Sequence, residues 1–431
     1  MEIQSRLLIF LSSLLVLAYS VTSDDSTCDC SKMKLDRSSF NPNFVFGAGG
    51  AAFQLRSTTA VLEMWPLIHI TVTRDDFQYY AEVCFKHFGD RVKNWITLNE
   101  PWTYAVYGYD TGYMPPGRCS SWNNANCIGG DSGTEPYFVT HNLLLSHANA
   151  VEVYRKKYKP EQKGRIGITL VAQWYEPCNV SNGDMEAVYR KMEFMLGWYL
   201  HPITYGEYPS SLRSIVKTRL PSFNQFQKLK LAGSFDFLGV NYYTAYWALN
   251  KKSDHKKVSY TTDSQVDLQA VCNGKQIGPR AGDSPWLFIY PIGIKKLLDY
   301  IKKNYKDPLM VITENGACEP DNPSLPLLQA LNDTVRRDYI SDHLCCLHEA
   351  IDKDEVNVTG YIAWALTDNL EWQNGYSVRF GLNYIDYEHN LRRIPKLSAL
   401  WFKDFITRKT EQSTRSTGRK DYASSPYLAI M

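Results

Sequence analysis

The sequence predicts an α/β fold in which parallel strands alternate with helices and close into a barrel. Three observations predict it. Segments with strand and helix patterns alternate along most of the 431-residue chain. Two strand segments, at 95–98 and 309–313, run directly into a glutamate or an Asn-Glu pair. GAGGAAF at 47–53 lacks the glycine spacing and the opening helix of a phosphate loop, which disfavours a doubly wound nucleotide-binding sheet.

The predicted elements follow from hydrophobic periodicity. The strands are short runs of apolar and β-prone residues, at 44–54, 67–72, 95–98, 165–174, 235–243, 309–314 and 361–366. The helices carry apolar residues at helical spacing, as with Ile294, Leu297, Leu298 and Ile301, and cover 77–88, 137–154, 185–199, 291–305, 339–351 and 395–405. A polar segment at 251–285 separates two of these units. We therefore expect one domain over 24–408, followed by a flexible Ser/Thr/Arg/Lys-rich tail at 409–431.

The N-terminus has the pattern of a secretory signal peptide over residues 1–23. Arg6 precedes an apolar run at 7–17, and small residues follow at Ala18, Ser20 and Ser23. We expect the protein to enter the secretory pathway and to be extracellular or vacuolar. The sequence predicts no membrane-spanning segment. The net charge of +2 argues against nucleic acid or an anionic membrane as a partner.

Secretion permits disulfide bonds among the ten cysteines. Cys119 and Cys127 bracket a polar loop and are predicted to form a bridge, while the partners of Cys28 and Cys30 stay open. Cys84, Cys345 and Cys346 lie in helical patterns and are predicted to be buried free thiols. The cysteines and histidines lack ligand spacing, so no metal site is predicted. Three sequons, at Asn179, Asn332 and Asn357, predict N-glycosylation.

The two strand-ending glutamates are the candidate catalytic residues. WITLNEPW (95–102) is an apolar strand that stops at Glu100 and Pro101, and LMVITENG (309–316) repeats this pattern at Glu314. In parallel barrels the carboxyl ends of the strands form the edge where active sites lie. Two carboxylates there can act as acid/base and nucleophile in glycoside hydrolysis. The alternative for either glutamate alone is a solvated strand end or a helix cap.

Five motifs resemble glycoside hydrolase family 1, and specifically its plant β-glucosidases. They are TLNEP (97–101), ITENG (312–316), FLGVNYYT (237–244), IGPRAGDSPWLFIYPIG (277–293) and AWALTDNLEWQNGYSVRFGLNYIDY (363–387). The resemblance implies a (β/α)8 TIM barrel that needs no cofactor and hydrolyses terminal β-D-glucosyl residues of small-molecule glucosides with retention. It implies Glu314 as nucleophile, Glu100 as acid/base and Tyr243 as the partner of the nucleophile.

The resemblance also implies a glucose-binding set, which comprises Gln54, Asn99, Trp286, Trp364, Glu371 and Trp372. Among these, Trp286 would stack on the aglycone and Asn99 would bond the sugar 2-hydroxyl. The high aromatic content of 13% fits sugar stacking, although the count alone favours a large aromatic core as its explanation. Trp364 could be an ordinary core residue and Glu371 a solvated loop acid.

The segment between Gln54 and Glu100 is too short for the whole barrel. In the family these two residues end strands one and four, and here they are 100 − 54 = 46 positions apart. Three strand–helix units of roughly 30 residues each would need about 90. We therefore expect strands two and three to be largely missing. The family arginine that contacts the nucleophile has no match, and His69 is not followed by the expected tryptophan. A weak or inactive sugar-binding relative is the alternative hypothesis.

Overall fold

The computed structural model describes residues 27–30, 35–51, 54, 73–253, 256–407 and 427–430. Its strands, in chain order, are β1 Val45–Ala48, β2 Val92–Asn99, β3 Arg165–Pro177, β4 Phe237–Asn250, β5 Val266–Gln269, β6 Val271–Cys272, β7 Lys275–Gln276, β8 Met310–Asn315, β9 Glu319–Pro320, β10 Val358–Ala363, β11 Val378–Arg379, β12 Asn383–Asp386, β13 Arg392–Pro395 and β14 Tyr427–Ile430.

The helices lie between these strands. They are α1 Thr73–Phe88, α2 Pro101–Tyr109, α3 Glu135–Val153, α4 Lys159–Gln162, α5 Asn182–Met192, α6 Trp198–Tyr205, α7 Ser210–Val216, α8 Gln225–Leu231, α9 Tyr260–Asp263, α10 Ile292–Asn304, α11 Leu327–Ala330, α12 Thr334–Asp352 and α13 Leu397–Thr407. Short π-helical segments at Tyr154–Tyr158 and Glu193–Gly197 join α3 to α4 and α5 to α6.

The main sheet is parallel along the order β1-β10-β8-β4-β3-β2-β14, and β5 adds an antiparallel strand to β4. Its central strands are covered on both faces, as the nearly continuous burial of β4 shows. Apart from β14, the order corresponds to barrel strands one, eight, seven, six, five and four. In the described part of the chain no ladder joins β14 to β1. The sheet is thus an incomplete barrel, as the sequence predicts.

A small apolar cluster supports the strand that carries Glu100. Phe85 of α1 and Trp95 of β2 meet edge to face, with ring centroids 5.2 Å apart. Tyr154 packs on Phe85 at 4.8 Å, and all three side chains are buried. This contact anchors α1 to one end of β2, although Tyr79 and Tyr80 on the outer face of α1 are exposed.

Most predicted elements are present, with shifted boundaries. The first strand is shorter than predicted, because β1 ends at Ala48, before the small residues at 49–51. The helix predicted at 185–199 is interrupted by the π-helical segment Glu193–Gly197. The strand predicted at 67–72 lies outside the described residues. The tail differs from the prediction of a flexible segment over 409–431, because Tyr427–Ile430 forms β14 beside β2.

The structure forms four disulfide bonds within the described residues. The predicted Cys119–Cys127 bridge is present, and Cys178–Cys272 is a further one. The prediction that Cys345 and Cys346 are free thiols was wrong, because they bond to Cys30 and Cys28 respectively. A helical pattern shows that a thiol is buried, but it does not reveal a partner more than 300 positions away. Cys84 is buried and free, as predicted.

Candidate active site

The two candidate catalytic glutamates lie at the carboxyl ends of parallel strands. Glu100 directly follows β2, and its left-handed backbone (φ 48°, ψ 54°) makes a sharp turn before α2 begins at Pro101. Such a conformation is uncommon and energetically unfavourable for a residue with a side chain. Glu314 lies within β8, where it pairs with Asn241 of β4. The sheet therefore presents both carboxyl groups at one edge.

Two asparagine amides connect the two carboxyl groups. Asn241 Nδ2 donates to Glu100 Oε1 at 2.8 Å and to Asn99 Oδ1 at 3.2 Å. Asn99 Nδ2 in turn donates to Glu314 Oε1 at 3.2 Å. Thr313 Oγ1 donates to Asn241 Oδ1 at 2.7 Å, which fixes the orientation of that amide. Glu100 and Glu314 therefore meet at one site, although they are more than 200 positions apart in the sequence.

Glu314 is the more deeply buried of the two, at 7% exposed. Tyr243 donates its hydroxyl hydrogen to Glu314 Oε2 at 2.6 Å, in the position expected for the partner of the nucleophile. Burial raises the pKa of Glu314, and the nearby charge of Glu100 raises it further, to about 8. Among the described residues, no lysine or arginine forms an ion pair with Glu314, so no cation there opposes this shift.

Glu100 is partly accessible to solvent. Its Oε2 accepts a hydrogen bond from Thr103 Oγ1 at 2.8 Å, and its Oε1 accepts the one from Asn241. Desolvation by the surrounding protein raises the pKa of Glu100, and the hydrogen bonds from Asn241 and Thr103 partly offset that effect. Because both carboxyl groups are desolvated and close together, they titrate as a pair that shares one proton over a range of pH.

Asn99 is exposed, which sets this site apart from a closed pocket. The ladder between β14 and β2 ends with the pair Ile430 and Ile96, three positions before Asn99. Within the described chain, no strand lies beside Asn99 on that side. Among the described residues, the edge of the sheet at Asn99 is therefore open.

Gln54, in the segment that follows β1, contacts the loop that precedes Glu371, in the segment that follows β10. Gln54 Nε2 donates to the carbonyl of Leu370 at 3.0 Å, and the amide of Leu370 donates to the carbonyl of Gln54 at 3.2 Å. Glu371 is 7% exposed, and its Oε1 is buried with no hydrogen-bond partner in the described part of the protein. Burial raises the pKa of Glu371 to about 8. The charge of Glu371 also raises the pKa of Tyr243, which places the two within electrostatic reach.

The three tryptophans of the predicted glucose-binding set have different surroundings. Trp364 is buried at 9% exposed, and its amide donates to the carbonyl of Asn315 directly after Glu314. Trp372 is 48% exposed beside Glu371. Trp286 meets the ring of Tyr243 edge to face at 5.8 Å. A cavity of about 270 Å³ adjoins Trp286 and is lined by Asp283, Ser284, Pro285, Cys318, Pro320, Asn374, Ser377, Val378 and Phe380.

Neither candidate catalytic glutamate lines that cavity. Hydrogen bonds link Glu314 directly to Asn99 and Tyr243, and Asn241 connects Glu100 to this group. Trp286 contacts the group through Tyr243. The cavity beside Trp286 does not enclose the whole predicted set.

Three further site residues were not singled out by the sequence: Asn241, Thr313 and Thr103. Asn241 and Thr313 are fully or almost fully buried at 0% and 4% exposed, although each occupies a mainly apolar strand. A buried polar residue near the end of a strand requires a hydrogen-bond partner, and that requirement was the available signal. Thr103 carries no such signal, because a threonine in the first turn of a helix is common.

The remaining predicted sites lie elsewhere on the molecule. The asparagines of the three sequons, Asn179, Asn332 and Asn357, are all exposed. Among the described residues no group of histidine, cysteine, aspartate or glutamate side chains could hold a metal ion. No helix in the described ranges is both long and apolar enough to cross a membrane.

Comparison with known proteins gives consistent matches. Residues 70–411 match the profile of the family described as Glycosyl hydrolase family 1. Beta-glucosidase 12 of Oryza sativa subsp. indica is 52% identical over 333 residues, which are 77% of this chain and 65% of that protein. Raucaffricine-O-beta-D-glucosidase of Rauvolfia serpentina is 48% identical, over 76% of this chain and 64% of that protein. The chain thus spans slightly less than two thirds of the length of these relatives.

The fold is similar to solved structures as well. A rice Os3BGlu6 β-glucosidase mutant, determined in a covalent complex with Glc, superposes with a TM-score of 0.77 at 43% sequence identity. The match covers 78% of this chain and 70% of the rice protein.

Proposed function

The chain belongs to glycosyl hydrolase family 1, and on that basis we propose that it is a retaining β-glucosidase. The substrate would be a small-molecule glucoside with a terminal β-D-glucosyl residue. The single observation that carries the proposal is the asparagine relay, in which Asn241 holds Glu100 and Asn99 holds Glu314 at one edge of the sheet. Two carboxyl groups so placed fit a double displacement.

In the first step, a carboxylate oxygen of Glu314 attacks the anomeric carbon of the glucosyl residue. The bond from that carbon to the glycosidic oxygen breaks, and its electron pair goes to the leaving oxygen. Glu100 gives its proton to this oxygen. The hydrogen bond from Tyr243 to the other oxygen of Glu314 would hold the attacking group in place.

In the second step, water enters on the side of Glu100. Glu100, now ionised, takes a proton from the water while the water oxygen bonds to the anomeric carbon. The bond to Glu314 breaks, and its electron pair restores the carboxylate. Two inversions at the same carbon leave the product in the β configuration.

The glucosyl residue would lie between this pair and the loop that contains Glu371. The unpartnered Oε1 of Glu371 is a buried acceptor that a sugar hydroxyl could satisfy. Gln54 holds the same loop through two hydrogen bonds to Leu370, and Trp364 and Trp372 flank it in sequence. Asn99 would bond the 2-hydroxyl group. Trp286, beside a cavity of about 270 Å³, would contact the aglycone.

We also propose that the protein passes through the secretory pathway, with an extracellular or vacuolar destination. Four disulfide bonds and three exposed sequon asparagines support this proposal. Treatment of protein from a plant host with an N-glycosidase should increase its mobility on a gel. Unchanged mobility, together with alkylation of all ten cysteines without reduction, would contradict it.

The direct test of the proposed activity is release of p-nitrophenol from p-nitrophenyl β-D-glucoside by the purified protein. Glu314→Ala should abolish turnover, because no nucleophile remains. Added azide should restore turnover in Glu100→Ala, because azide replaces the activated water in the second step. With Glu314→Ala, added azide should not restore a product in the β configuration. Turnover that survives Glu314→Ala would refute the assignment.

The open edge beside Asn99 and the lack of a cation at Glu314 among the described residues favour a second candidate, a sugar-binding protein without turnover. A missing preorganised partner commonly lowers catalytic rates about 10²–10³-fold. Calorimetric binding of glucose without hydrolysis of the aryl glucoside would support that candidate.

A further inference from the structure

We propose that Thr103 is a positioning residue for the acid/base glutamate. Its hydroxyl group donates a hydrogen bond to Glu100 when that residue is ionised and accepts one when it is protonated. The inference rests on the proposed function. It concerns the two oxygens of Glu100, which have different partners: Asn241 Nδ2 lies 2.8 Å from Oε1, and Thr103 Oγ1 lies 2.8 Å from Oε2. The two partners differ in what they can do when Glu100 gains a proton.

Asn241 can only donate at its position. Its Oδ1 accepts from Thr313 at 2.7 Å, so the amide cannot turn over without losing that bond. The same Nδ2 also donates to Asn99 Oδ1 at 3.2 Å. Because Oε1 of Glu100 accepts from an N–H group, a proton on Oε1 would weaken that bond, since the oxygen of an O–H group is a poorer acceptor than a carbonyl oxygen. The proton of the acid form is therefore favoured on Oε2, beside Thr103.

Thr103 can both donate and accept. Its hydroxyl oxygen carries one hydrogen and two lone pairs, and rotation about a single bond exchanges the two roles. When Glu100 is ionised, Thr103 donates to Oε2. When Glu100 is protonated, Oε2 is the donor and Thr103 Oγ1 accepts. Thr103 lies in the first turn of α2, three residues after Glu100, so the short helix fixes this distance in both states.

This arrangement matches the proton movements of the two steps. In the first step the O–H group at Oε2 rotates from Thr103 toward the glycosidic oxygen, its O–H bond breaks as the proton bonds to that oxygen, and Thr103 turns to donate to the new carboxylate. In the second step Oε2 accepts a proton from water, and Thr103 returns to accepting. Thr103 keeps its own hydrogen throughout. Its contribution is to orient Oε2 and to stabilise the ionised form.

Other titratable groups around Glu100 are Glu314, Tyr243 and Tyr107. Tyr107 lies one helical turn beyond Thr103 on α2; burial raises the pKa of its hydroxyl, and the charge of Glu100 raises it further. Burial likewise raises the pKa of Tyr243, and the charges of Glu314 and Glu100 add to that effect. Both tyrosines stay neutral near pH 7, so Glu314 is the group whose ionisation competes with that of Glu100. A Thr103 variant leaves Glu314 and its donors in place.

The test compares Thr103→Val, which keeps the shape but removes the hydroxyl, with Thr103→Ser, which keeps it. Thr407→Val is the matched control, because Thr407 is an exposed helical threonine far along the chain. The bond that Thr103 donates to ionised Glu100 is stronger than the one it accepts from protonated Glu100, and that difference corresponds to about one pKa unit. We expect the alkaline limb of kcat/KM to move up by about one pH unit in Thr103→Val. Thr103→Ser and Thr407→Val should keep the wild-type limb.

A second readout needs no turnover. Carbon-13 NMR of glutamate-labelled full-length protein follows the Glu100 carboxyl carbon, which is assigned by its absence from Glu100→Gln. The midpoint should rise in Thr103→Val and not in Thr103→Ser. An unchanged midpoint in Thr103→Val, or an equal rise in Thr103→Ser, overturns the proposal. If the wild-type protein does not hydrolyse the glucoside, the proposed function fails, and this titration still decides the role of Thr103.

Discussion

The ionisation state of Glu314 determines whether the proposed site can react. Its two oxygens accept hydrogen bonds from Tyr243 and Asn99, which favour the ionised form that attack requires. Burial and the charge of Glu100 act in the opposite direction and raise the pKa of Glu314 to about 8. A carboxyl pair with one proton is the reactive form, with that proton on Glu100. The balance of these forces predicts a pH dependence.

We expect kcat/KM for an aryl β-glucoside to fall as the pH rises through about 8, where the pair loses its last proton. Below that pH the pair keeps the one proton that the leaving oxygen requires. The measurement is a pH–rate profile at constant ionic strength, with enzyme stability checked at each pH. An alkaline limb below pH 7 would contradict this expectation, because the carboxyl pair would then lose its last proton at a lower pH than its burial implies.

The buried carboxyl group of Glu371 predicts how the stability of the folded protein changes with pH. Its pKa is raised to about 8 in the folded protein by burial, so the folded state holds the proton more tightly than the unfolded state. The stabilisation is fully present below about pH 4.5 and is lost as the pH rises through about 8. Glutamine does not ionise, so Glu371→Gln removes this loss. Near pH 8 the free energy of unfolding of the variant should exceed that of the wild-type protein by on the order of a few kcal/mol.

Thermal unfolding of both proteins at pH 5 and pH 8 tests that expectation. The melting temperatures should lie close together at pH 5, and the variant should be several degrees higher at pH 8. Glu388→Gln, at an exposed position, is the control and should show no such difference. A wild-type protein that gains stability from pH 5 to pH 8 relative to Glu371→Gln would contradict the assigned direction.

At the scale of elements, helix α12 is tethered to the N-terminal segment by two adjacent disulfides, Cys28–Cys346 and Cys30–Cys345. The first bridge to form closes a loop of more than 300 residues, and the second then closes only a few. In the chain-entropy description, losing either bridge alone costs about 2 kcal/mol, whereas losing both costs about 7 kcal/mol.

The paired substitutions Cys28→Ser/Cys346→Ser and Cys30→Ser/Cys345→Ser remove one bridge each, and the fourfold variant removes both. We expect the free energy of unfolding of the fourfold variant to fall by more than the two single-bridge losses added together. Chemical denaturation without reductant measures all three. Simple additivity would mean that each bridge constrains a separate part of the chain.

Strand β14 is the other element that holds the incomplete sheet together. It pairs with β2 in parallel from Tyr427 to Ile430, beside a strand whose Trp95 and Ile96 are buried. A triple proline variant at Leu428, Ala429 and Ile430 removes the N–H groups of this ladder. Because β2 would then have an unpaired edge, we expect the melting temperature to fall by several degrees.

Valine at the same three positions is the control, because it keeps the N–H groups and should leave the melting temperature nearly unchanged. Equal melting temperatures for both variants would rule out a stabilising role.

At the scale of the whole molecule, the sequence predicts a parallel sheet of alternating strands and helices, an incomplete barrel, and two glutamates at strand ends. Each of these leaves a local signal, such as an apolar run that ends in Asn99-Glu100-Pro101. The Cys28–Cys346 and Cys30–Cys345 bridges, the role of Asn241 and the position of β14 depend on contacts between distant segments. Local periodicity carries no information on such contacts, and the structure is needed to reveal them.

We propose that an incomplete barrel still assembles a working nucleophile and acid/base. The most direct measurement is mass spectrometry of the protein after incubation with an activated 2-deoxy-2-fluoro-β-glucoside. Fluorine slows both steps while a good leaving group keeps the first one possible, so the covalent intermediate accumulates. We predict one fluoroglucosyl adduct, on the peptide that contains Glu314, and its absence from Glu314→Gln. No adduct on folded protein, or an adduct on another residue, would contradict the account.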